Sequence, residues 1–570
     1  MRPTRTQRRA IALAAAVALT IAACGGDDDD PASTEPAPTA ASPDTGTEAD
    51  QPPATTGASS TPARDTSVPT ATDGPDAAPP DVPEHDPNAV LRVIGYSPPA
   101  HLDPVRGVPA CEFTHLRMVY DSLVRLGADG LPKPGLAESW EVVDDETFVL
   151  HIRPGVIFQD GTPFDAEAVR EHLERGKNDP ESTIVDNLRV IDEIVVVDDL
   201  TLELRLNEPR AGTMTTLFAE RAGMVPSAVA VAASGADYGT TSAVGAGPYA
   251  MESLNPGQLL SVRAWGGDDY WANGGRLLAG LDFYPVDDTT GIQRVQSGEI
   301  DYMATKDDNI EIVRAADDLA YEVAPTNTFA QIFMNFGRPP FDDVRVRQAL
   351  NHALDRELLT QVLSGAGDVA WGPLSPTSWA HNPAIDEMYP YDPDKARELL
   401  AEAGYPDGVS FTAAMIDHPY YTRMAQAVQD MLADSGIDVE LATVTGAEIN
   451  NALYVRQEYD AAITAYAGSS DPALTLERKY TSGGSANPSG QTIDGLEDLL
   501  AEGARLVDPD ERAPIYQEAE LLVMENALEV PIYFLGGLSV FDPSVHGIDK
   551  GYETCSIGNF IDPPAYIAVD

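Results

Sequence analysis

Residues Thr147-Phe-Val-Leu-His-Ile-Arg-Pro-Gly-Val-Ile-Phe-Gln-Asp-Gly-Thr-Pro-Phe-Asp-Ala-Glu-Ala-Val-Arg-Glu-His-Leu-Glu-Arg-Gly176 hold a strand, a turn and a helix in succession. Thr147–Ile152 alternates and is β-branched, the pattern of a half-buried strand. Asp160-Gly161 reads as a turn. Asp165 stands where a helix N-cap is wanted, an apolar stripe follows, and Gly176 is the expected stop. A strand beside a capped helix predicts an α/β chain.

Working outward, Val90–Gly95, Ile194–Val197 and Leu202–Leu206 read as further strands. Val346, Ala349, Leu350, Ala353 and Leu354 fall at helical spacing within Val344–Leu359, giving one apolar face. Asp392 is a candidate N-cap with Pro393 in the first turn, an apolar stripe of Ala396, Leu399, Leu400 and Ala403, and Gly404 beyond the end. Ala425–Ser435 is a helix running into the strand Gly436–Leu441, an αβ unit. No repeat of 20 to 50 residues is present.

The 570 residues exclude a single small module. Lys plus Arg number 36 against 91 Asp plus Glu, a formal charge of −55, which argues against nucleic acid or an anionic membrane surface as partner. Residues 1–23 carry +4, residues 24–86 carry −13, and the remaining −46 lies on the body. All 40 aromatic residues stand at or after Tyr96, so folding is expected to begin near there.

Arg2, Arg5, Arg8 and Arg9 precede the apolar run Ala10–Ala23, which ends in Ile21-Ala-Ala-Cys24. The run is short for a membrane span and has the layout of an export signal, assigned to residues 1–23. Ile-Ala-Ala-Cys resembles the bacterial lipobox, which makes Cys24 the lipidated first residue of the mature chain, with −59 charges. An ordinary signal with a chance cysteine is the alternative. Residues 24–86, rich in Pro, Thr, Ala and Asp, are expected to be a disordered tether. Cys111 and Cys555 remain, and in an exported protein they are read as a disulfide, with two free thiols as the alternative.

Chemistry of other kinds leaves no clear mark. His-Glu-x-x-His, Walker A and Cys-x-x-Cys motifs are absent, so no metal, cofactor or catalytic residue is assigned. Gly245-Ala-Gly-Pro-Tyr-Ala250 and Gly365-Ala-Gly-Asp-Val-Ala370 have the spacing of a dinucleotide loop but read as tight turns, since Pro248 lacks the N–H a phosphate would use. Gly483-Gly-Ser-Ala-Asn487 misses the nucleophile elbow at its last position. With so many carboxylates, a glycosidase pair cannot be singled out.

Leu102-Asp-Pro104, Tyr120–Leu126, Pro134-Gly-Leu-Ala-Glu-Ser-Trp140, Thr147–Pro163, Gly245–Tyr249, Asp342–Arg356 and Tyr391–Gly408 follow one another in an order that resembles the bacterial extracellular solute-binding proteins of family 5, the peptide- and nickel-binding components of ABC importers. The resemblance runs from about residue 88 to the C-terminus. It implies a two-lobed, type II periplasmic-binding-protein-like fold with an extra subdomain in the first lobe. The first lobe is expected at 87–325, with an insert at about 122–241, the second at 326–530, and a return to the first at 531–570. Solute is expected between the lobes, with closure of the hinge presenting the loaded form to the permease.

Within that resemblance, Tyr120, Trp140 and the arginines Arg345, Arg347 and Arg356 read as structural residues. In peptide-binding members an acidic residue of the second lobe pairs with the ligand's α-ammonium. The matching position is Asp471, in Tyr466-Ala-Gly-Ser-Ser-Asp-Pro472, and a common Asp-Pro turn is its competing reading. Asn327 and Phe329, Tyr466 and Gly468, and Trp371 are further ligand-binding candidates, with Trp371 and Trp379 equally readable as core. His418, Tyr420 and Tyr421 form a second polar aromatic group.

The function expected is therefore a lipid-anchored, monomeric receptor on the outer face of the cell membrane. It would pass a small solute, foremost an oligo- or dipeptide, to an ABC permease. The alternatives are an extracellular hydrolase and a transporter-independent sensor or adhesion protein on the same fold.

Overall fold

A computed structural model describes residues 84–569 apart from 96–99, 108–112, 128–129, 267–269, 273–275, 286–289, 364, 447, 549–559 and 562–563. The signal, Cys24 and nearly all of the tether, and both Cys111 and Cys555, lie outside the described residues. His85 and Asp86, expected at the end of the tether, belong to the body: His85 bridges Ala568, and the Asp86 N–H donates to Ile567 O.

Among the described residues, three sheets have four or more strands. The first is seven-stranded, in the order Ala320–Ala324, Gly537–Phe541, Tyr302–Lys306, Val90–Ile94, Gly280–Tyr284, Leu259–Ala264, Tyr249–Asn255. The second is six-stranded: Asp368–Val369, Pro531–Phe534, Thr328–Met334, Ala461–Ala467, Val409–Ile416, Ile437–Val444. The third, inserted in the first lobe, is four-stranded: Ala137–Asp144, Thr147–Ile152, Thr201–Leu206, Ile191–Asp198.

The alternation in the inserted sheet works as the sequence demands. Phe148, Leu150, Leu202 and Leu204 turn inward against Val169 and Leu173 of helix Ala166–Asn178. Asp165 caps that helix by accepting from Ala168 N. The helix runs past Gly176 to Asn178, because Gly176 is a contact point: a Cβ there would sit 2.5 Å from Leu188 Cδ1.

In the second lobe, one face of the six-stranded sheet carries Ile332 and Ile463 against Leu350, Met424 and Val428. Beyond the other face lies a second cluster of Leu476, Leu500, Tyr516 and Val523. Helix Pro393–Glu402 has Asp392 as cap and Pro393 in its first turn, as the sequence predicts. The single helix expected within Val344–Leu359 is two, Val344–His352 and Arg356–Leu363. Asp355 accepts from Leu358 N and starts the second.

Pro531–Phe534 is an interior strand of the second sheet, and Gly537–Phe541 is an interior strand of the first. The return crossing therefore lies at Leu535–Gly536, not at the expected 530/531 boundary. Pro531 is tolerated in a sheet interior because the register with Thr328–Met334 shifts there.

Candidate functional site

Strand directions place the cleft. In the first sheet Val90–Ile94, Gly280–Tyr284 and Tyr302–Lys306 are parallel, and Lys306 and Ala324 both pair with Gly537. In the second sheet Val409–Ile416, Ile437–Val444 and Ala461–Ala467 are parallel, while Thr328–Met334 runs against them from the same edge. Both sheets thus turn the carboxyl ends of their parallel strands toward the crossings at 325–327 and 535–536. Crevices beyond such ends are where α/β folds hold ligands.

The two crossings are tied to each other and to the first lobe. Thr326 Oγ1 donates to Leu535 O at 2.7 Å, and Leu535 N–H to Thr328 O at 2.9 Å. Gly536 N–H donates to Asp307 Oδ2 at 3.1 Å. The Tyr420 and Tyr533 hydroxyls share a hydrogen bond close by. Burial, with Tyr533 and Asp307 near, pushes the Tyr420 hydroxyl well above its usual pKa.

Four of the expected site residues are brought together here. Gly468 N–H donates to Asn327 O at 3.0 Å, and a Cβ on Gly468 would lie 2.7 Å from that oxygen, so the close approach requires glycine. Phe329 pairs in register with Tyr466 and with Phe534, its ring 5.9 Å and 5.5 Å from theirs. Phe329 has no solvent exposure and Asn327 very little. Trp371 follows Ala370, which packs on Phe329 and Phe534, and its half-buried ring has Arg356 at 5.7 Å.

Beneath this aromatic group lies a charge that the sequence did not announce. Lys479 Nζ is 4.3 Å from the Tyr466 ring centre and 5.0 Å from that of Phe329. It pairs with Glu529 Oε2 at 2.7 Å and donates to Gln331 Oε1, and Tyr480 donates to the same Glu529 oxygen at 2.5 Å. Burial lowers the pKa of Lys479, opposed by Glu529. The aromatic faces supply a second, weaker field for the ammonium.

Asp471 has a different place from the one the resemblance implies. It caps helix Pro472–Tyr480, accepting from Ala473 N at 2.9 Å, and its buried carboxylate is held by Arg512. Arg512 also donates to Gly503 O and Gly212 O, and Trp379 lies 5.3 Å away against Tyr516. Burial works against the charge of Arg512, but Asp471 and Tyr516 hold its pKa above the ordinary value. A ligand ammonium would have to displace an internal cation to reach this carboxylate. His418 caps helix Pro419–Asp434 at the cleft end of Val409–Ile416, and Tyr420 is core.

The arginines of the Asp342–Arg356 motif are structural, as the sequence suggests, though mostly not through ion pairs. Arg347 donates to Phe341 O, Asn526 O and Ala527 O, and Arg356 to Pro531 O and Asn351 O. Burial lowers the pKa of Arg356 to about 10. Arg345 alone pairs with a carboxylate, Asp343. Among the described residues, no group of three His, Cys, Asp or Glu side chains could hold a metal, and no helix is long and apolar enough to cross a membrane.

Comparison with known proteins places this geometry. Residues 132–487 match the family model described as bacterial extracellular solute-binding proteins, family 5 Middle. The chain is 30% identical over 458 residues to the glutathione-binding protein GsiB of Salmonella paratyphi A, covering 76% of this chain and 86% of that one. In structure it resembles the ABC transporter-associated periplasmic binding protein DppA from Helicobacter pylori in complex with the peptide STSA, with a TM-score of 0.71, 21% identity, and coverage of 85% and 98%. It resembles CtaP of Listeria monocytogenes, an ABC transporter substrate-binding protein, with a TM-score of 0.74, 21% identity, and coverage of 85% and 100%.

Proposed function

The chain belongs to the bacterial extracellular solute-binding proteins of family 5, the solute-capturing components of importers, and on that premise we propose that its solute is a short peptide. The observation that carries the peptide is the relative named for glutathione, aligned along most of both chains. The geometry agrees. Gly468, Ser469 and Ser470 follow the strand Ala461–Ala467 at the crossings, where three small side chains let an extended ligand come close to the chain.

Asn327, Gly468 and Trp371 are the proposed contacts. Phe329 and Tyr466 shape the wall from behind, held over Lys479. Asp471 acts at one remove, by fixing Arg512 and the start of helix Pro472–Tyr480, and so positions the loop 468–470. Closure of the two lobes about 325–327 and 535–536 buries the peptide, and an ABC permease receives the closed form. The protein works as a monomer and does not turn its ligand over. Cys24, lipidated, ties it through the acidic tether to the outer face of the membrane, and a Cys111–Cys555 bond joins the two ends of the first lobe.

Native mass spectrometry of the protein as purified tests the peptide directly, and a co-purified series of short peptides is expected. Titration calorimetry with glutathione and a di- and tripeptide panel should give one site per chain with the ligand recovered intact. A bound sugar or nickel chelate, or hydrolysed peptide, would sink the reading. Cys24→Ser should release the protein from the membrane fraction.

A further inference from the structure

The inserted sheet of the first lobe meets the second lobe along a seam away from the covalent crossings. Arg210 Nη2 lies 2.5 Å from Glu477 Oε2, both side chains mostly buried. Arg512 Nη1 donates to Gly212 O at 3.3 Å, and Thr216 Oγ1 to Asp471 Oδ2 at 3.4 Å. Arg505 Nη2 lies 2.5 Å from Asp145 Oδ2 at the exposed rim. Gly212 is pressed so close that a Cβ would fall 1.6 Å from Leu506 O. On the first-lobe side the seam uses the turn after Ala137–Asp144 and the segment 210–216. On the second-lobe side it uses the helices Pro472–Tyr480, Leu496–Arg505 and Pro509–Glu525.

Arg512 and Asp471 are paired whether the lobes meet or not, but Glu477 takes Arg210 and Arg512 takes Gly212 O only when they do. In an open form water would solvate these groups, so losing one contact costs closure little, whereas reversing one charge sets like charges against each other in the seam and opposes closure strongly.

We propose that this seam is a latch. It holds the insert and the second lobe together without solute, so the free energy of closure comes partly from Arg210, Gly212 and Thr216 against Glu477, Arg512 and Asp471. The empty protein is then partly closed, and weakening the latch lowers the fraction of chains in the closed arrangement. The inference rests on the two-lobed fold and does not depend on the ligand being a peptide.

Small-angle scattering tests it on the full chain, stripped of solute by unfolding in guanidinium and refolding. Arg210→Glu or Glu477→Arg should each lower the closed fraction about tenfold and enlarge the radius of gyration. The exchanged pair Arg210→Glu with Glu477→Arg should return it toward the wild-type value. Circular dichroism melting checks that each variant folds. Should either buried substitution fail that check, Arg505→Glu and its exchange with Asp145→Lys at the exposed rim carry the same comparison. Scattering curves of wild type and folded single variants that superimpose would overturn the latch, as would an exchanged pair no more compact than the singles.

Discussion

Arg512 reaches Asp471 with one nitrogen, Nη2, which lies 2.9 Å from one carboxylate oxygen and 2.8 Å from the other. Both side chains are almost wholly buried, so neither charge has water to fall back on. Asp471→Asn keeps the shape and a capping oxygen but leaves the guanidinium uncompensated. The expected cost is about 3 to 5 kcal/mol, read from the urea midpoint, with part recovered in Asp471→Asn/Arg512→Met. A carboxylate that served the ligand instead would, on the same change, lose affinity with the midpoint unmoved.

Gln159 ties two of the family motifs together. Its Nε2 donates to Val119 O, Gly247 O and Tyr249 O, and its Oε1 accepts from Gly245 N. Gln159→Leu strands several main-chain groups and is expected to cost about 2 kcal/mol. Gly247→Ala should cost a comparable amount, since its Cβ would stand 2.6 Å from the Val119 carbonyl carbon. Chemical denaturation of the two variants checks both; a midpoint within error of wild type would show the loop to be loosely held.

Acid sensitivity follows from His115 and His172, whose pKa values burial lowers to about 4. The unfolded chain binds their protons near pH 6.5 and the folded chain does not. Their stabilisation is therefore complete above about pH 6.5 and is lost as the pH falls toward 4, by up to about 3 kcal/mol each. His172→Met should flatten the fall in unfolding free energy between pH 7 and 4.5. His381 has the opposite sign: burial pulls its pKa down, but Glu520 and Asp386 raise it overall, so its contribution is present below pH 6.5 and fades above. His381→Gln should lose stability at pH 6 more than at pH 8.5.

Lys479 and Glu529 form a buried pair under Tyr466. Lys479→Met takes the cation from the buried Glu529 carboxylate, leaving it the Tyr480 hydroxyl and the Val530 N–H, and is expected to cost about 3 kcal/mol or more, whereas Lys479→Met/Glu529→Leu should lie much closer to wild type. A double-mutant cycle in urea measures the coupling. Additive losses would mean that the two charges act separately.

The sequence carries a plain signal where the physics is local. Asp165 and Asp392 cap helices, and the leucines of 202–206 alternate, because neighbours in the chain decide those matters. The break at Ala353–Asp355 leaves no mark in the pattern, because Ala353 and Leu354 stay buried and keep the apolar spacing through it. Family position points to Asn327 and Phe329, and the stretch around Asp471 offers Tyr466 and Gly468; only the fold brings the two pairs together. Their foundation in Lys479 and Glu529, like the hold of Arg512 on Asp471, joins residues far apart in the chain. No periodicity marks such a pair in advance, and at Asp471 the Asp-Pro cap was the signal in plain view.

Residues 531–541 supply an interior strand to each lobe, one on either side of Leu535–Gly536. Among the described residues, Asp368–Val369 and Ala320–Ala324 pair with their sheets only through it. During biosynthesis, then, more than five hundred residues must be made before either sheet can be completed. A chain made only as far as residue 530 holds both sheets unfinished, so neither lobe can reach its full stability until the last tenth of the sequence arrives. The strand that locks the architecture also times it.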